Sequence, residues 1–247
     1  MRLPRVAIDH PLAPGERVAL PADTAHHLLR VLRLRNGAPI LLFNGDPGDW
    51  HGVLEVAGKR DARVHIHRFE PRDAEAPIAI TLVQGISRGQ RMDYTLEKAV
   101  ELGVTTVVPV VMERTQAAPA GERAERKARH WQGVLTAAAA QSGRTCQPRL
   151  APQLGFRSWL TSARTEQEPC VLLDPDGEFR PASLWPQTPA RMTLIAGPEG
   201  GFSPAERDAA YAVGCQGLRL GPRILRTETA AVAALTALLV CYGDMGV

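Results

Sequence analysis

Two glycine-rich segments in the last third of the chain combine an adaptable backbone with charged side chains. Residues 197–202 read Gly-Pro-Glu-Gly-Gly-Phe, and residues 221–229 read Gly-Pro-Arg-Ile-Leu-Arg-Thr-Glu-Thr. Because glycine has no side chain, backbone N–H and C=O groups can contact a ligand directly. Neither segment has the spacing of a triphosphate loop or a dinucleotide loop. The segments indicate a ligand site made largely of backbone, although each alone also fits a capped strand-to-helix turn.

The elements that position these segments are predicted beyond residue 77. Apolar runs lie at 78–84, 106–111, 170–174, 192–196 and 217–220. Helical patterns separate them, most clearly at 91–102, in the capped segment that starts at Ser203 and ends at Gly214, and from Thr227 to about Tyr242. Near-continuous apolar strands between helices are typical of a parallel sheet covered on both faces. Ligands of such sheets bind beyond the carboxyl ends of the strands, which is where both glycine segments lie.

The first seventy residues follow a different pattern. Short apolar strands alternate with turn residues, and one helix is predicted at 24–33 with Asp23 or Thr24 as its N-cap. This pattern favours a small β-barrel with one helix. Residues 69–77 carry two prolines and mixed charge, as linkers do. We therefore predict one domain at 1–72 and a second at 77–247.

Composition limits the class of protein. The 247 residues are 45% hydrophobic and 22% charged, and no apolar run reaches the length of a membrane span. The N-terminal residues carry charges where a signal peptide has an apolar run, so we expect a cytoplasmic protein. Four cysteines without paired spacing predict reduced thiols, no disulfide framework and no metal site.

Positive charge is concentrated in the first domain. Residues 1–72 hold eleven Lys/Arg against eight Asp/Glu, whereas the remainder is balanced. This favours the first domain for contact with a polyanion, with a solvated basic face as the equal alternative. A further basic stretch at 122–130 is interpreted as a solvated helical face with i,i+4 ion pairs.

Taken together, the two glycine segments and their flanks resemble the RsmE-type ribosomal RNA methyltransferases of the SPOUT superfamily. The segments that carry the resemblance are 194–203 and 218–230, with further matches at 82–93, 97–104, 113–115, 131–144 and 26–37. The segment 26–37 is similar to the helix of the family's N-terminal PUA-like domain, and the other segments are similar to its catalytic domain. The resemblance therefore covers nearly the whole chain.

The resemblance implies a fold, a reaction and partners. The fold is α/β, with a C-terminal SPOUT-type parallel-sheet domain that contains a trefoil knot and a small N-terminal PUA-like β-barrel domain. The reaction is transfer of a methyl group from S-adenosylmethionine to N3 of one uridine in 16S ribosomal RNA of the small subunit. The family acts as a homodimer without a metal.

Site residues are carried over from the matching positions. The implied cofactor site comprises Leu194, Ala196, Gly197, Glu199, Gly200, Leu220, Gly221, Ile224, Leu225 and Thr229. Arg226 and Glu199 are placed at the reaction centre, with Arg223 as a neighbour. For Glu199 two roles stay open, a hydrogen bond to the cofactor or a cap on the following helix. Phosphate contacts are predicted for Arg2, Arg5, Arg30, Arg33, Arg35, Arg88 and Arg91.

Several points stay open at this stage. The group that removes the uracil N3 proton is Glu199, Asp93, Glu228 or water. His26 and His27 either contact RNA or are ordinary surface or core residues. Ala137 and Ala140 stand where the family often carries acids, which leaves a substrate or dimer contact there in doubt. The alternative functions are a non-catalytic RNA-binding protein and a related methyltransferase that acts on transfer RNA or on a ribose 2′-oxygen.

Overall fold

The structure is a computed structural model that describes residues 3–58, 61–116, 118–162 and 168–246. It divides into two units, the first formed by Met1–Glu75 with Ala139–Gln147 and the second by Ala76–Ala138 with Pro148–Val247. The predicted boundary at 72–77 kept everything from 77 to 247 in one domain, so it differs from this division at 139–147. No described helix is both long enough and apolar enough to span a membrane.

The first unit is built on a five-stranded mixed sheet. Its order is β1-β3-β4-β5-β2, and all its pairs are antiparallel except the parallel pair of β1 with β3. Alternate residues point inward and form one apolar core, as the period of two predicts. The strands are β1 (Arg5–Ala7), β2 (Arg17–Ala19), β3 (Pro39–Phe43), β4 (Gly48–Val56) and β5 (Ala62–Pro71).

The helix of the first unit starts earlier than predicted. Helix α1 covers Ala22–His26 and continues into a wider π-helical turn at His27–Val31. The N-cap is Pro21, whose carbonyl accepts a hydrogen bond from the backbone N–H of Ala25. The predicted cap at Asp23 or Thr24 is therefore wrong, since Asp23 already lies in the first turn, where its charge favours the helix dipole.

A buried ion pair explains why residues 139–147 belong to the first unit. The Arg144 guanidinium lies 2.5 Å from a carboxylate oxygen of Glu75, and only 4% of the Arg144 side chain is exposed. The other Glu75 oxygen accepts hydrogen bonds from the backbone N–H groups of Thr145 and Cys146. Arg72 also donates to the carbonyl of Gly143. Side-chain pairing across seventy residues has no local sequence signal, so the prediction missed it.

The second unit contains a seven-stranded sheet in which every pair is parallel. The order is β12-β10-β11-β6-β7-β8, with β9 also paired to β7. This confirms the parallel sheet predicted from the apolar runs. The strands are β6 (Ala79–Gly85), β7 (Val104–Val111), β8 (Arg149–Leu150), β9 (Leu154–Gly155), β10 (Cys170–Leu173), β11 (Arg191–Ala196) and β12 (Gln216–Leu218).

Helices of the second unit follow the predicted signals closely. Met92 and Leu96 of the second helix are buried, and Gly103 ends it with a φ of 83°. Ser203 and Glu206 form the predicted capping box at the start of the fifth helix. The helices are α2 (Gln90–Glu101), α4 (Phe156–Ser162), α5 (Pro204–Ala212) and α6 (Thr227–Tyr242), with a 3₁₀ turn at Pro181–Ser183. Helix α3 (Glu122–Ser142) starts in the second unit, and its last residues, from Ala139, belong to the first.

Candidate functional site

A pocket of about 610 Å³ lies at the carboxyl ends of β10, β11 and β12, within the second unit. The two glycine segments form most of its wall, and Arg91, Arg114 and residues at the end of β10 also line it. Its volume is in the range that holds a cofactor-sized ligand. The pocket thus confirms the expectation that both segments lie together beyond the strand ends.

The segment 197–202 is held closely against the loop after β7. The Arg114 guanidinium donates to the carbonyl of Gly200 at 3.1 Å. A Cβ on Gly200 would come within 2.7 Å of the Cβ of Arg114, which is too close for any side chain. Gly201 has a φ of 66°, in the left-handed region that favours glycine. Gly200 therefore allows the segment to pack closely against Arg114, and Gly201 allows the chain to turn.

Glu199 connects this segment to the loop that starts α2. One Glu199 oxygen accepts a hydrogen bond from the Arg88 N–H at 2.8 Å and another from the Arg91 guanidinium at 3.3 Å. Partial burial raises the pKa of Glu199, but these hydrogen bonds and the Arg91 charge outweigh burial and lower the pKa below its usual value. The capping role considered for Glu199 is wrong, because Ser203 and Glu206 cap α5.

Gln84, at the end of β6, joins both glycine segments. Its side chain is buried, and its amide donates to the carbonyls of Gly85 and Gly197 and to the Thr227 hydroxyl. The Thr227 hydroxyl itself donates to the Gly197 carbonyl at 2.5 Å. Sequence analysis missed Gln84, although a polar residue at the end of an apolar strand is a usable signal.

The segment 221–229 is much less restrained. Gly221 has a φ of 124°, and Arg226 is the N-cap residue of α6. Arg223 and Arg226 are exposed, and no described residue forms an ion pair or side-chain hydrogen bond with either guanidinium. Glu228 lies 3.9 Å from Arg91, and its buried Oε2 atom has no hydrogen-bond partner among the described residues. The segment thus has two exposed guanidinium groups and one buried carboxylate oxygen without a partner among the described residues.

A third wall of the pocket, at the end of β10, was not predicted as part of the site. Asp174 is 4% exposed, and its carboxylate accepts hydrogen bonds from the Tyr211 hydroxyl at 2.6 Å and from the Asp176 backbone N–H. Burial and the bond to Asp174 raise the pKa of the Tyr211 hydroxyl above its usual value. The apolar run at 170–174 was predicted as a strand. Because ligands of parallel sheets bind beyond the carboxyl ends of the strands, the residues after this run could have been predicted as part of the site.

The structure brings together most of the predicted cofactor residues. Those that line the pocket are Ala196, Gly197, Glu199, Gly200, Leu220, Gly221, Ile224 and Leu225, with Arg226 beside them. Two do not line it. Leu194 is buried in the middle of β11, and Thr229 is an exposed residue of α6. Leu194 shares a face of β11 with Ala196 but lies two residues further inside the sheet and is fully buried, so it does not reach the strand end where the pocket lies.

The predicted phosphate contacts other than Arg5 divide into three groups. Arg30, Arg33 and Arg35 are exposed on the first unit, as are His26 and His27. Arg88 is exposed, and Arg91 lines the pocket. Arg2 lies outside the described residues.

Arg5 does not have the predicted role. Its guanidinium forms an ion pair with Asp49 at 2.6 Å and donates to the carbonyl of Arg144, and 5% of its side chain is exposed. A side chain that is buried and paired in this way does not reach a phosphate, so the prediction for Arg5 is corrected to a structural role.

Comparison with known proteins supports the resemblance to ribosomal RNA methyltransferases. The model of the RNA methyltransferase domain family matches residues 74–239, and that of the RNA methyltransferase PUA domain matches residues 20–66. A ribosomal RNA small subunit methyltransferase E from Synechocystis is 31% identical over 224 residues, which cover 88% of this chain and 71% of the relative. The chain belongs to the ribosomal RNA small subunit methyltransferase E family. A Buchnera aphidicola member is 29% identical over 99% of this chain and 98% of its own length.

Two solved structures match the whole fold. A methyltransferase E from Neisseria gonorrhoeae bound to S-adenosylmethionine is 35% identical, with a TM-score of 0.90 over 98% of this chain and 99% of its own. A methyltransferase from Legionella pneumophila, also solved with S-adenosylmethionine, is 32% identical, with a TM-score of 0.93 over 99% of this chain and all of its own. The fold class of the methyltransferase E family is thus confirmed, and the trefoil knot stays a prediction.

Proposed function

We propose that this chain transfers the methyl group of S-adenosylmethionine to N3 of a uridine in 16S ribosomal RNA. Membership of the methyltransferase E family makes it an S-adenosylmethionine-dependent ribosomal RNA methyltransferase. The target atom, the assembled small subunit as substrate, a homodimeric state and a cytoplasmic location are parts of the proposal. The observation that supports it best is the pocket at the strand ends, whose walls are the two glycine segments.

The pocket fits this cofactor. Leu173, Leu218, Leu220 and Leu225 offer apolar surface of the kind that an adenine ring requires. The backbone of 197–201 forms part of the pocket wall, where Gly200 packs so closely on Arg114 that a side chain has no room. When bound, S-adenosylmethionine supplies an activated methyl group, and the chain's residues bind and orient the reactants and exclude water.

Arg226 is assigned to the reaction centre. It stands at the mouth of the pocket, is exposed and has no partner among the described residues. When uracil loses its N3 proton, negative charge develops on the two carbonyl oxygens beside N3. A guanidinium placed near those oxygens stabilises that charge. Arg226 cannot remove the proton, because it remains protonated at neutral pH.

Glu228 is assigned as the acceptor of the uracil N3 proton. Glu199 already accepts two hydrogen bonds, and its lowered pKa makes it a weaker base. Asp93 binds His130 and does not line the pocket. Glu228 does line the pocket and has a buried oxygen that lacks a donor among the described residues. The proposal therefore gives Glu199 the role of holding the two loops together.

The first unit is proposed to be the RNA-binding domain at 1–72. Arg30, Arg33 and Arg35 form an exposed basic group within one short segment. Contacts to phosphates position an RNA without reading its sequence. Target choice would then come from the shape of the assembled subunit, with the uridine turned out of its stack.

A single assay tests the proposal. The purified chain, labelled S-adenosylmethionine and small subunits lacking the modification are combined, and the digested nucleosides are identified by mass spectrometry. We expect 3-methyluridine at one position of 16S ribosomal RNA. Label in transfer RNA or on a ribose would overturn the substrate, and absence of both label and cofactor binding would favour a non-catalytic RNA-binding protein.

A further inference from the structure

The first half of α3 carries a basic face that the proposed reaction does not use. Residues 122–130 contain three arginines, one lysine and one histidine against two glutamates. Arg123, Arg126 and His130 are exposed, and Lys127 is half-buried. Sequence analysis interpreted this stretch as a solvated surface held by i,i+4 ion pairs. Two structural observations argue against a surface that is neutralised by its own ion pairs.

The first observation is how the charges divide around the helix. At 100° per residue, Arg123, Arg126, Lys127 and His130 fall within one sector of about 100°. Glu122 and Glu125 lie outside that sector. Glu125 is 3.9 Å from Arg129, which also lies outside it. Arg123, Arg126 and Lys127, which we call the α3 basic face, form no ion pair with any described residue. Ion pairs within the helix thus neutralise only one of the four Lys/Arg residues of 122–130, Arg129.

The second observation places this face beside the pocket wall. Buried Trp131 fixes the rotation of α3, and the next residue back, His130, bonds Asp93 of α2 at 2.9 Å. Asp93 is two residues after Arg91, which lines the pocket and contacts Glu199. The α3 basic face therefore lies within the two helical turns before His130, which contacts the first turn of α2, and it extends about 6 Å along α3 from Arg123 to Lys127.

We propose that the α3 basic face binds the sugar–phosphate backbone of the RNA next to the target nucleotide. The inference rests on the proposed function, because it assumes that RNA enters the pocket. Side chains three or four positions apart on a helix have Cβ atoms about 5–6 Å apart, close to the step between successive phosphates. Uncompensated cations at that spacing complement a polyanion, and phosphate contacts release counterions and so depend on salt. The contacts carry no sequence preference.

The test is a matched pair of single variants and one triple variant. Arg126→Gln and Arg129→Gln remove the same charge from exposed positions three residues apart on one helix. The triple variant is Arg123→Gln, Arg126→Gln and Lys127→Gln. For each, the dissociation constant for small-subunit RNA is measured across a salt series, and that for S-adenosylmethionine is measured separately to verify an intact pocket.

We expect Arg126→Gln to weaken RNA binding several-fold and Arg129→Gln to leave it within about twofold. The triple variant should weaken binding by at least about tenfold and reduce the slope of log K against log salt by about two to three. Cofactor affinity should not change. Equal losses in Arg126→Gln and Arg129→Gln, or wild-type binding by the triple variant, would overturn the inference while leaving the proposed methylation intact. A wild-type chain that bound no RNA would overturn both.

Discussion

The two glycine segments share a place in the fold and differ in how firmly they are held. Segment 197–202 receives hydrogen bonds from Gln84 at the end of β6, from Arg88 in the loop after β6 and from Arg114 in the loop after β7. Segment 221–229 is bonded to Gln84 and Gly197 through Thr227, but it keeps Arg223 and Ile224 exposed, the latter by 80%. A site with one restrained wall and one open wall separates two tasks. The restrained wall is suited to hold a cofactor in a fixed position, and the open wall is suited to meet a second, larger reactant.

The largest effect is expected on the open side, at Glu228. Replacing Glu228 with Gln keeps the size of the side chain and removes the proton acceptor, so we expect turnover to fall by about 10²–10⁴-fold. The loss should shrink as pH rises, because ionisation of uracil then replaces the missing base. Turnover is measured from pH 6 to pH 10, together with cofactor affinity. A pH-independent loss, or a parallel loss of cofactor affinity, would contradict the role of Glu228.

The next effect is expected at Arg226. Arg226→Ala should lower turnover by about 10²–10³-fold, because charge on the uracil oxygens loses its partner. Cofactor affinity should stay within about twofold, since the restrained wall is unchanged. Arg223→Ala is the control, as an exposed arginine of the same segment. Wild-type turnover in Arg226→Ala would remove Arg226 from the reaction centre.

On the restrained side, Gly200→Ala should affect binding before chemistry. The added Cβ meets the Arg114 Cβ at 2.7 Å, so we expect a loss of about 1–3 kcal/mol in the free energy of unfolding. Cofactor affinity should fall by about tenfold. Calorimetric titration and chemical denaturation measure the two. Gly133→Ala, where a Cβ meets open space within α3, should instead leave both values equal or improved.

The smallest effect is expected from the charge of Glu199. Its folded-state pKa lies below the usual value near 4.5, so its contribution to stability is present above that pH and lost as pH falls through the folded-state pKa. Glu199→Gln should therefore lower the free energy of unfolding by about 1 kcal/mol at pH 7 and by less near pH 3. Chemical denaturation at both pH values measures the difference, with exposed Glu122→Gln as control. A constant difference would show that Glu199 is not held as an anion.

Sequence patterns predicted the features that depend on local periodicity and turn chemistry. The five apolar runs became β6, β7, β10, β11 and β12, and the capping box at Ser203 was found where expected. The glycine segments were predicted as pocket walls because backbone exposure at a strand end is itself a local feature. The resemblance then added Arg226, which spacing alone does not distinguish from other arginines.

The features that were missed depend on side chains distant in sequence. Gln84 joins both glycine segments, and Asp174, just after β10, binds Tyr211 of α5. In the sequence, Arg5 looks like any arginine that could contact a phosphate. Its structural role becomes clear only from the buried ion pair that it forms with Asp49. Pairing between residues distant in sequence leaves no periodic pattern in the sequence. Whether a charged residue is structural or contacts a ligand depends on its burial, which the pattern does not give.

The contact between Gln84 and Thr227 also bears on how the chain reaches its native state. These two residues are 143 positions apart, and Gln84 lies at the end of β6 where that strand pairs with β11. Contacts so distant in sequence form late, because closing a long loop costs entropy before the contact stabilises it. During synthesis, a nascent chain that ends before Thr227 has no closed pocket. Protection from proteolysis by the cofactor would therefore appear only after the last helix has emerged, and it would mark completion of folding.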